Sequence, residues 1–168
     1  IGSNLAFYFQ KNYPDSNIVV FDCFRSDSTF SNNNLKSFGH YKNLIGFNGA
    51  VICGNITNKS DLKLLDNYKF DYIFHQAAIS DTRVYDQKIV FQTNVNSFCD
   101  VLNKARNDGA VVVYASSAAT YGSLPSPQTV GKENPENPYG FSKYLMDQMA
   151  YRYSCENPDM TIVGLKYF

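Results

Sequence analysis

Short apolar runs alternate along the chain with longer amphipathic stretches. Leu5 to Lys11 has a helical pattern that begins at the very first residues. Asn17-Ile-Val-Val-Phe-Asp22 is an apolar run closed by an acid, the mark of a buried strand. Residues 25–48 are rich in Ser, Asn and Gly without a clean period, which predicts a loop with one helical turn. Ala50-Val-Ile-Cys53 predicts a second strand, Asn58 to Tyr68 a helix carrying Leu62, Leu64 and Leu65, and Phe70-Asp-Tyr-Ile-Phe-His75 a third strand. That strand runs into the small-residue loop Gln76-Ala-Ala-Ile-Ser80. Residues 84–108 form the longest helical pattern, stopped by Gly109 in a natural cap position. Ala110-Val-Val-Val-Tyr-Ala115 is apolar throughout, as a strand buried on both faces of a parallel sheet must be. The proline-rich stretch 122–138 reads as loop. Pro138 suits a first helical turn and opens a helix to about Cys155, and Met160 to Tyr167 reads as a last strand.

This alternation predicts an α/β fold with a doubly wound parallel sheet. In such sheets ligands bind beyond the carboxyl ends of the strands. Functional residues are therefore expected at Asp22, at Asn55, in the 76–80 loop and at Ser116-Ser117. Residues 1–2 already enter a helix and the chain ends at Phe168, at the end of a strand. A doubly wound sheet without its first strand is open at its centre. The expectation is an internal piece of a longer protein, lacking the first strand.

Composition narrows the function. Fifteen basic and fifteen acidic side chains cancel, so the basic surplus of a nucleic-acid binder is missing. No apolar run nears the roughly 18 residues of a membrane span, and the first residues show no charged region ahead of an apolar stretch, so a signal peptide is not expected in them. Cys23, Cys53, Cys99 and Cys155 lie far apart, without a CxxC pair or zinc spacing. They read as reduced thiols of a cytoplasmic protein, with no metal site. Tyr and Phe make up all of the 15% aromatic content, which suits core and interface filling.

Two constellations carry chemistry. Ile1-Gly2-Ser3-Asn4-Leu5 looks like the end of a glycine-rich phosphate loop, with Gly2 as the glycine that lets helix and strand pack closely. Asp22 ends the next strand 20 residues later, where a dinucleotide fingerprint wants an acid for the adenosine ribose. Arg25 is placed either to meet a ribose 2′-phosphate or to stand free on the surface. The second constellation is more specific. Tyr139 and Lys143 are spaced i, i+4 and share one helical face. Ser117 lies 22 residues before Tyr139, just after a buried strand. A tyrosine of ordinary pKa, about 10, is a poor base at neutral pH, and a neighbouring ammonium favours its phenolate. A serine hydroxyl can hold the substrate oxygen in line. Such a trio can take the proton of an alcohol while its hydride leaves to a nicotinamide. Taken alone, a YxxxK pair is usually a solvated surface feature; the strand-Ser-Ser segment and the dinucleotide half-motif change that weighting. Asn94, a mediocre helix former in mid-helix, reads either as a buried brace for the strand-end loops or as a solvent-facing residue. His75 is expected to be structural, and His40 receives no role.

Together, Gly2 with Asp22, Phe74-His-Gln-Ala-Ala78, Tyr114-Ala-Ser-Ser-Ala-Ala-Thr-Tyr-Gly122 and Tyr139-Gly-Phe-Ser-Lys143 resemble the extended short-chain dehydrogenase/reductases, the NAD-dependent epimerases and dehydratases of sugar nucleotides. The resemblance runs through the whole chain. Its narrower segments, Ala78-Ile-Ser-Asp-Thr82 and Tyr139-Gly-Phe-Ser-Lys-Tyr-Leu-Met-Asp147 among them, are similar to the ADP-heptose 6-epimerase branch, which serves lipopolysaccharide core precursor synthesis.

The resemblance implies a Rossmann-type NAD(P)-binding domain over 1–168, with the substrate domain largely outside this chain. It implies that Tyr139 is a catalytic acid/base, that Lys143 holds the nicotinamide ribose and tunes Tyr139, and that Ser117 binds the reacting oxygen. Asp22, Cys23 and Arg25 would surround the adenosine ribose, and Asn55 and Ile56 would border the adenine. Gln76, Ala77, Ala78, Ile79 and Ser80 would line the cofactor, with Ile1, Gly2 and Asn94 in the same set. The narrower branch uses tightly held NADP, whereas an acid at Asp22 favours NAD. A carbinol C–H is not acidic, so inversion would proceed by oxidation to a ketone and hydride return to the opposite face. The second acid/base this requires is, in the family, a lysine beyond Phe168, so the 168-residue chain alone is expected to be inactive. The implied substrate is a nucleotide sugar, ADP-heptose, and the implied assembly a homo-oligomer without nucleic-acid or membrane partners. Alternatives are a UDP-glucose 4-epimerase or a nucleotide-sugar dehydratase of the same fold, and a non-catalytic dinucleotide-binding protein. Ala118 and Ala119 after Ser117 weigh against the dehydratase, which commonly has acids there.

Overall fold

The computed structural model describes residues 1–24 and 40–168. These form two compact units, Ile1–Asn67 and Tyr68–Phe168. In the first unit, helix α1 (Gly2–Asn12) is followed by Pro14, which cannot continue a helix. Strands β1 (Val19–Asp22) and β2 (Ala50–Cys53) pair in parallel, with Val19 opposite Ala50 and Asp22 opposite Cys53. Gln10 clamps α1 to the approach to β2: its Nε2 donates to the Gly46 carbonyl (3.1 Å), and its Oε1 accepts from Asn48 N–H (2.7 Å). The helix expected over 58–68 is a short α2 (Lys59–Leu62) that tightens into a 3₁₀ segment, Lys63–Asn67. Asn58 caps it by accepting from Ser60 N–H at 2.8 Å. Of the loop expected over 25–48, residues 25–39 lie outside the described residues, and Tyr41–Leu44 forms a 3₁₀ segment.

The second unit is a three-stranded parallel sheet of order β3-β4-β5, built from Tyr72–His75, Val111–Ser117 and Ile162–Tyr167. Parallel neighbours require long crossovers, and helices supply both. The first is α3 (Gln87–Phe91), a π-helical stretch Gln92–Asn96 and α4 (Ser97–Asp108); the second is α5 (Pro138–Glu156). The core between sheet and helices holds Val90, Phe98, Leu102, Val112 and Met146, all without exposed surface. Gly109 ends α4 at φ +74°, a backbone that glycine adopts without a Cβ penalty.

Two departures from the sequence expectation bear on function. The 84–108 pattern predicts one regular helix, whereas the π-helical stretch widens it at the fully buried Asn94. Such bulges collect where a side chain is needed in a position that a regular helix cannot offer. Strand β4 also runs two residues beyond the apolar run, because Ser116 and Ser117 still pair with Lys166 and Tyr167 on β5. Among the described residues no helix is long and apolar enough to cross a membrane.

Candidate functional site

The carboxyl ends of β3 and β4 and the start of α5 meet in the second unit. Ser117 is the last residue of β4, and its Oγ accepts from Ala119 N–H (3.1 Å), capping the 3₁₀ turn Ala118–Tyr121. Thr120 Oγ1 donates back to the Ser117 carbonyl (2.8 Å), so the turn is tied at both ends. Asn137 caps α5 by accepting from Gly140 N–H (2.8 Å), and Pro138 fills the first helical position. Tyr139 therefore stands in the first turn of the helix, half-buried. Gly140 is where α5 presses on the serine turn: a Cβ placed there would lie 2.5 Å from the Ala119 carbonyl oxygen. The structure thus brings the Ser117 turn and the Tyr139 turn into contact.

One helical turn onward, Lys143 is 1% exposed, with its Nζ 5.9 Å from the centre of the Tyr139 ring. Burial pushes its ammonium down to about 8, against the opposing charge of Asp147. Among the described residues no group accepts a hydrogen bond from it. Ser142 Oγ donates to the Tyr139 carbonyl (2.7 Å) and accepts from Asn94 Nδ2 (2.9 Å). Asn94 also accepts from Ile79 N–H (2.8 Å) and donates to the Ile79 carbonyl (3.0 Å). It acts as the brace that the sequence suggested, fixing the 76–80 loop to α5. Its side chain reaches no solvent, so whatever it does for a ligand passes through Ile79 and Ser142.

His75 closes β3, buried and stacked on Phe98 at 5.4 Å. Burial, reinforced by the charge of Lys143, holds its imidazole down at about 3, so it is neutral at physiological pH. Its Nε2 and both amide atoms of Gln76 are buried without a hydrogen-bond partner. Ala77 and Ser80 are exposed and Ala78 half-buried.

Sequence reasoning passed over a polar cluster behind Lys143. Asp147, one turn further along α5, accepts from Tyr114 Oη (2.7 Å), Ser116 Oγ (2.9 Å) and Lys166 Nζ (2.9 Å). Lys166 also donates to Thr120 Oγ1 (2.9 Å) and Glu133 Oε1 (3.2 Å). The i, i+4 spacing of Lys143 and Asp147 was a legible signal; the reach of Lys166 from another strand was not.

In the first unit, Ile1 caps α1, its carbonyl accepting from Leu5 N–H (3.1 Å), and Gly2 is the first helical residue. Asp22 ends β1, and its Oδ1 accepts from Phe24 N–H (2.7 Å). Cys23 follows with its thiol pushed up by burial and by Asp22. Asn55 lies just past β2, folded into a turn by two bonds from Thr57 (both 2.9 Å), with Ile56 half-buried beside it. Arg25 lies outside the described residues.

Orphaned buried groups test whether a nicotinamide dinucleotide fits. A buried ammonium without an acceptor and a buried amide with neither atom paired are costly unless a ligand satisfies them. Ribose hydroxyls offer donors and acceptors of the required kind, so Lys143 and Gln76 fit such a group. Among the described residues no cluster of His, Cys, Asp or Glu could hold a metal ion.

The model of the NAD dependent epimerase/dehydratase family matches residues 1–168. Among solved structures, ADP-L-glycero-D-manno-heptose-6-epimerase from Helicobacter pylori superposes with a TM-score of 0.88 at 49% identity, covering 99% of this chain and 51% of that one. UDP-glucose 4-epimerase from Brucella ovis, solved with NAD, follows with a TM-score of 0.77 and 26% identity over 99% of this chain and 48% of its own. A dTDP-glucose 4,6-dehydratase from Bacillus anthracis, at 22% identity and a TM-score of 0.75 over 97% of this chain and 50% of its own, shares the fold. The chain spans about half the length of these structures.

Proposed function

Because this chain belongs to the NAD dependent epimerase/dehydratase family, we propose that it is the cofactor-binding part of a nucleotide-sugar epimerase that inverts C6 of ADP-D-glycero-D-manno-heptose. The observation that supports the heptose over other sugars is the 49% identity across nearly the whole chain to a heptose 6-epimerase. The 4-epimerase from Brucella ovis stands at 26%.

In this reading the nicotinamide of NADP supplies a hydride acceptor and donor. Tyr139 Oη takes the proton of the C6 hydroxyl as that carbon is oxidised in one orientation, and hydride return to the opposite face is served by the second acid/base, which the family resemblance places beyond Phe168. Ser117 Oγ holds the reacting oxygen. Lys143, buried and without a protein acceptor, holds the nicotinamide ribose and keeps positive charge beside Tyr139. Gln76 to Ser80 line the cofactor, kept in place by Asn94. Asp22, Cys23 and Arg25 are assigned to the adenosine ribose, Asn55 and Ile56 to the adenine, and Ile1 and Gly2 to the phosphate turn. The same proposal carries a homo-oligomeric, cytoplasmic enzyme of lipopolysaccharide core precursor synthesis.

The test incubates the intact protein with ADP-D-glycero-D-manno-heptose and, separately, with UDP-glucose, and follows each by NMR. Inversion at C6 of the heptose is the expected outcome. Inversion of UDP-glucose alone would retain the Ser117–Tyr139–Lys143 chemistry and remove the heptose. No change in either would shift the reading to a dehydratase or to a non-catalytic dinucleotide binder.

A further inference from the structure

The reaction above leaves the cluster around Lys166 unused. That ammonium has three acceptors on three different segments: Thr120 Oγ1 on the serine turn (2.9 Å), Glu133 Oε1 on the loop that follows (3.2 Å) and Asp147 Oδ2 on α5 (2.9 Å). An ammonium carries three N–H donors, so each has a partner. Thr120 passes the tie on to the Ser117 carbonyl, and its own carbonyl accepts from Asn134 N–H (3.0 Å). Asp147 is tied in turn to β4 by Tyr114 and Ser116. The side chains of Lys166, Asp147 and Glu133 are 16%, 18% and 5% exposed, so water competes little for these bonds.

We propose that Lys166 is a positioning residue, whose ammonium ties the turn carrying Ser117 to the helix carrying Tyr139 and Lys143, with Asp147 as the point of attachment. The catalytic consequence rests on the function proposed above; the tie itself rests on the distances. The contact it secures is tight, because Gly140 abuts Ala119 with no room for a Cβ. A small slip there would move Ser117 Oγ relative to Tyr139 Oη.

The tie has an electrostatic side. Lys143 shares its surroundings with Asp147 and Tyr139 on its own helix and with His75 on β3. Asp147 faces Tyr114, Ser116 and Lys166, while Lys166 faces Asp147, Glu133 and the ring of Tyr121 at 4.7 Å. Asp147 favours the charged form of Lys143. Lys166 partly neutralises Asp147 and so limits that effect. Removing Lys166 and removing Asp147 must therefore move Lys143 in opposite directions.

The experiment uses the intact protein as wild type, Lys166→Met, Lys166→Arg and Asp147→Asn. Lys143 is titrated by NMR of ¹³C-labelled lysine, assigned with Lys143→Arg, and kcat and KM are measured in parallel. The midpoint is expected to rise in Lys166→Met, to fall in Asp147→Asn and to hold in Lys166→Arg. A fall in kcat of roughly 10- to 100-fold, with KM little changed, is expected for Lys166→Met and is restored by Lys166→Arg. Unchanged titration and kcat in Lys166→Met would overturn the proposal, as would shifts of the same sign in Lys166→Met and Asp147→Asn. Should Lys166→Met fail to fold, Thr120→Val carries the decision: it removes the acceptor of Lys166 on the serine turn and leaves every charge in place, so kcat should fall with the Lys143 midpoint unchanged, and an unchanged kcat would overturn the tie. If the wild type turns over neither substrate, the functional reading fails, while the opposed shifts still decide the tie.

Discussion

At the level of single residues, Tyr139 and Lys143 carry most of what can be tested. Tyr139→Phe removes one oxygen at a half-buried site. Turnover is expected to fall by about 10²- to 10⁴-fold, with cofactor affinity, read by fluorescence titration, close to wild type. An unaltered rate would leave the tyrosine a packing residue. The spacing of these two residues made them visible in the sequence, because an i, i+4 pair shares a face on any helix. Burial did not follow from spacing: nothing local distinguishes the nearly inaccessible Lys143 from the solvated lysine such a pattern usually marks. His75 gives a second residue-scale test. Its pKa is about 3 in the folded chain and near 6.5 when unfolded. Between these values the unfolded chain binds the extra proton, so stability is lost as pH falls from about 6.5 towards 3. His75→Phe is expected to flatten this part of the melting-temperature profile; an equally steep profile in the variant would assign the acid loss to other groups.

Among the elements, the helix between β3 and β4 and the first turn of α5 do the positioning. Asn94 projects from the π-helical stretch and serves Ile79 and Ser142 at once. Asn94→Ala leaves the amide and carbonyl of Ile79 without this partner. A loss of about 1–3 kcal/mol is expected in urea unfolding, together with weaker cofactor binding. Stability lost with affinity unchanged would separate the brace from the 76–80 loop. Gly140→Ala tests the neighbouring contact. The added methyl meets the Ala119 carbonyl oxygen, so α5 must retreat from the serine turn. We expect kcat to fall more than helix content, which circular dichroism would report. Most element boundaries were legible from hydrophobic period and caps: β2 matches its apolar run residue for residue, and α5 starts at its proline. The π-helical stretch and the last two residues of β4 were not, because both depend on partners distant in sequence.

For the whole molecule, Gly2 and Asp22 belong to the first unit and Gln76, Ser117, Tyr139 and Lys143 to the second. A ligand that binds only the folded state stabilises it by mass action, about 2.7 kcal/mol at a hundredfold excess over Kd. Thermal shift of the intact protein should rise with either dinucleotide and, on the proposed NADP preference, rise further with NADP at equal concentration. The reverse order would return Asp22 to the role of an NAD-selecting acid. The amino-acid sequence by itself determined the alternation of strands and helices, because period and punctuation are local properties of the chain. It also determined the Ser–Tyr–Lys signature, because residue type and spacing are written in order. Only the tertiary structure decided that Lys143 is desolvated, that Asn94 spends its amide on a loop and a helix, and that Lys166 reaches across from β5 to Thr120, Glu133 and Asp147. Those outcomes depend on which distant segments pack together, and that packing sets both the dielectric around a charge and the partners within hydrogen-bonding reach.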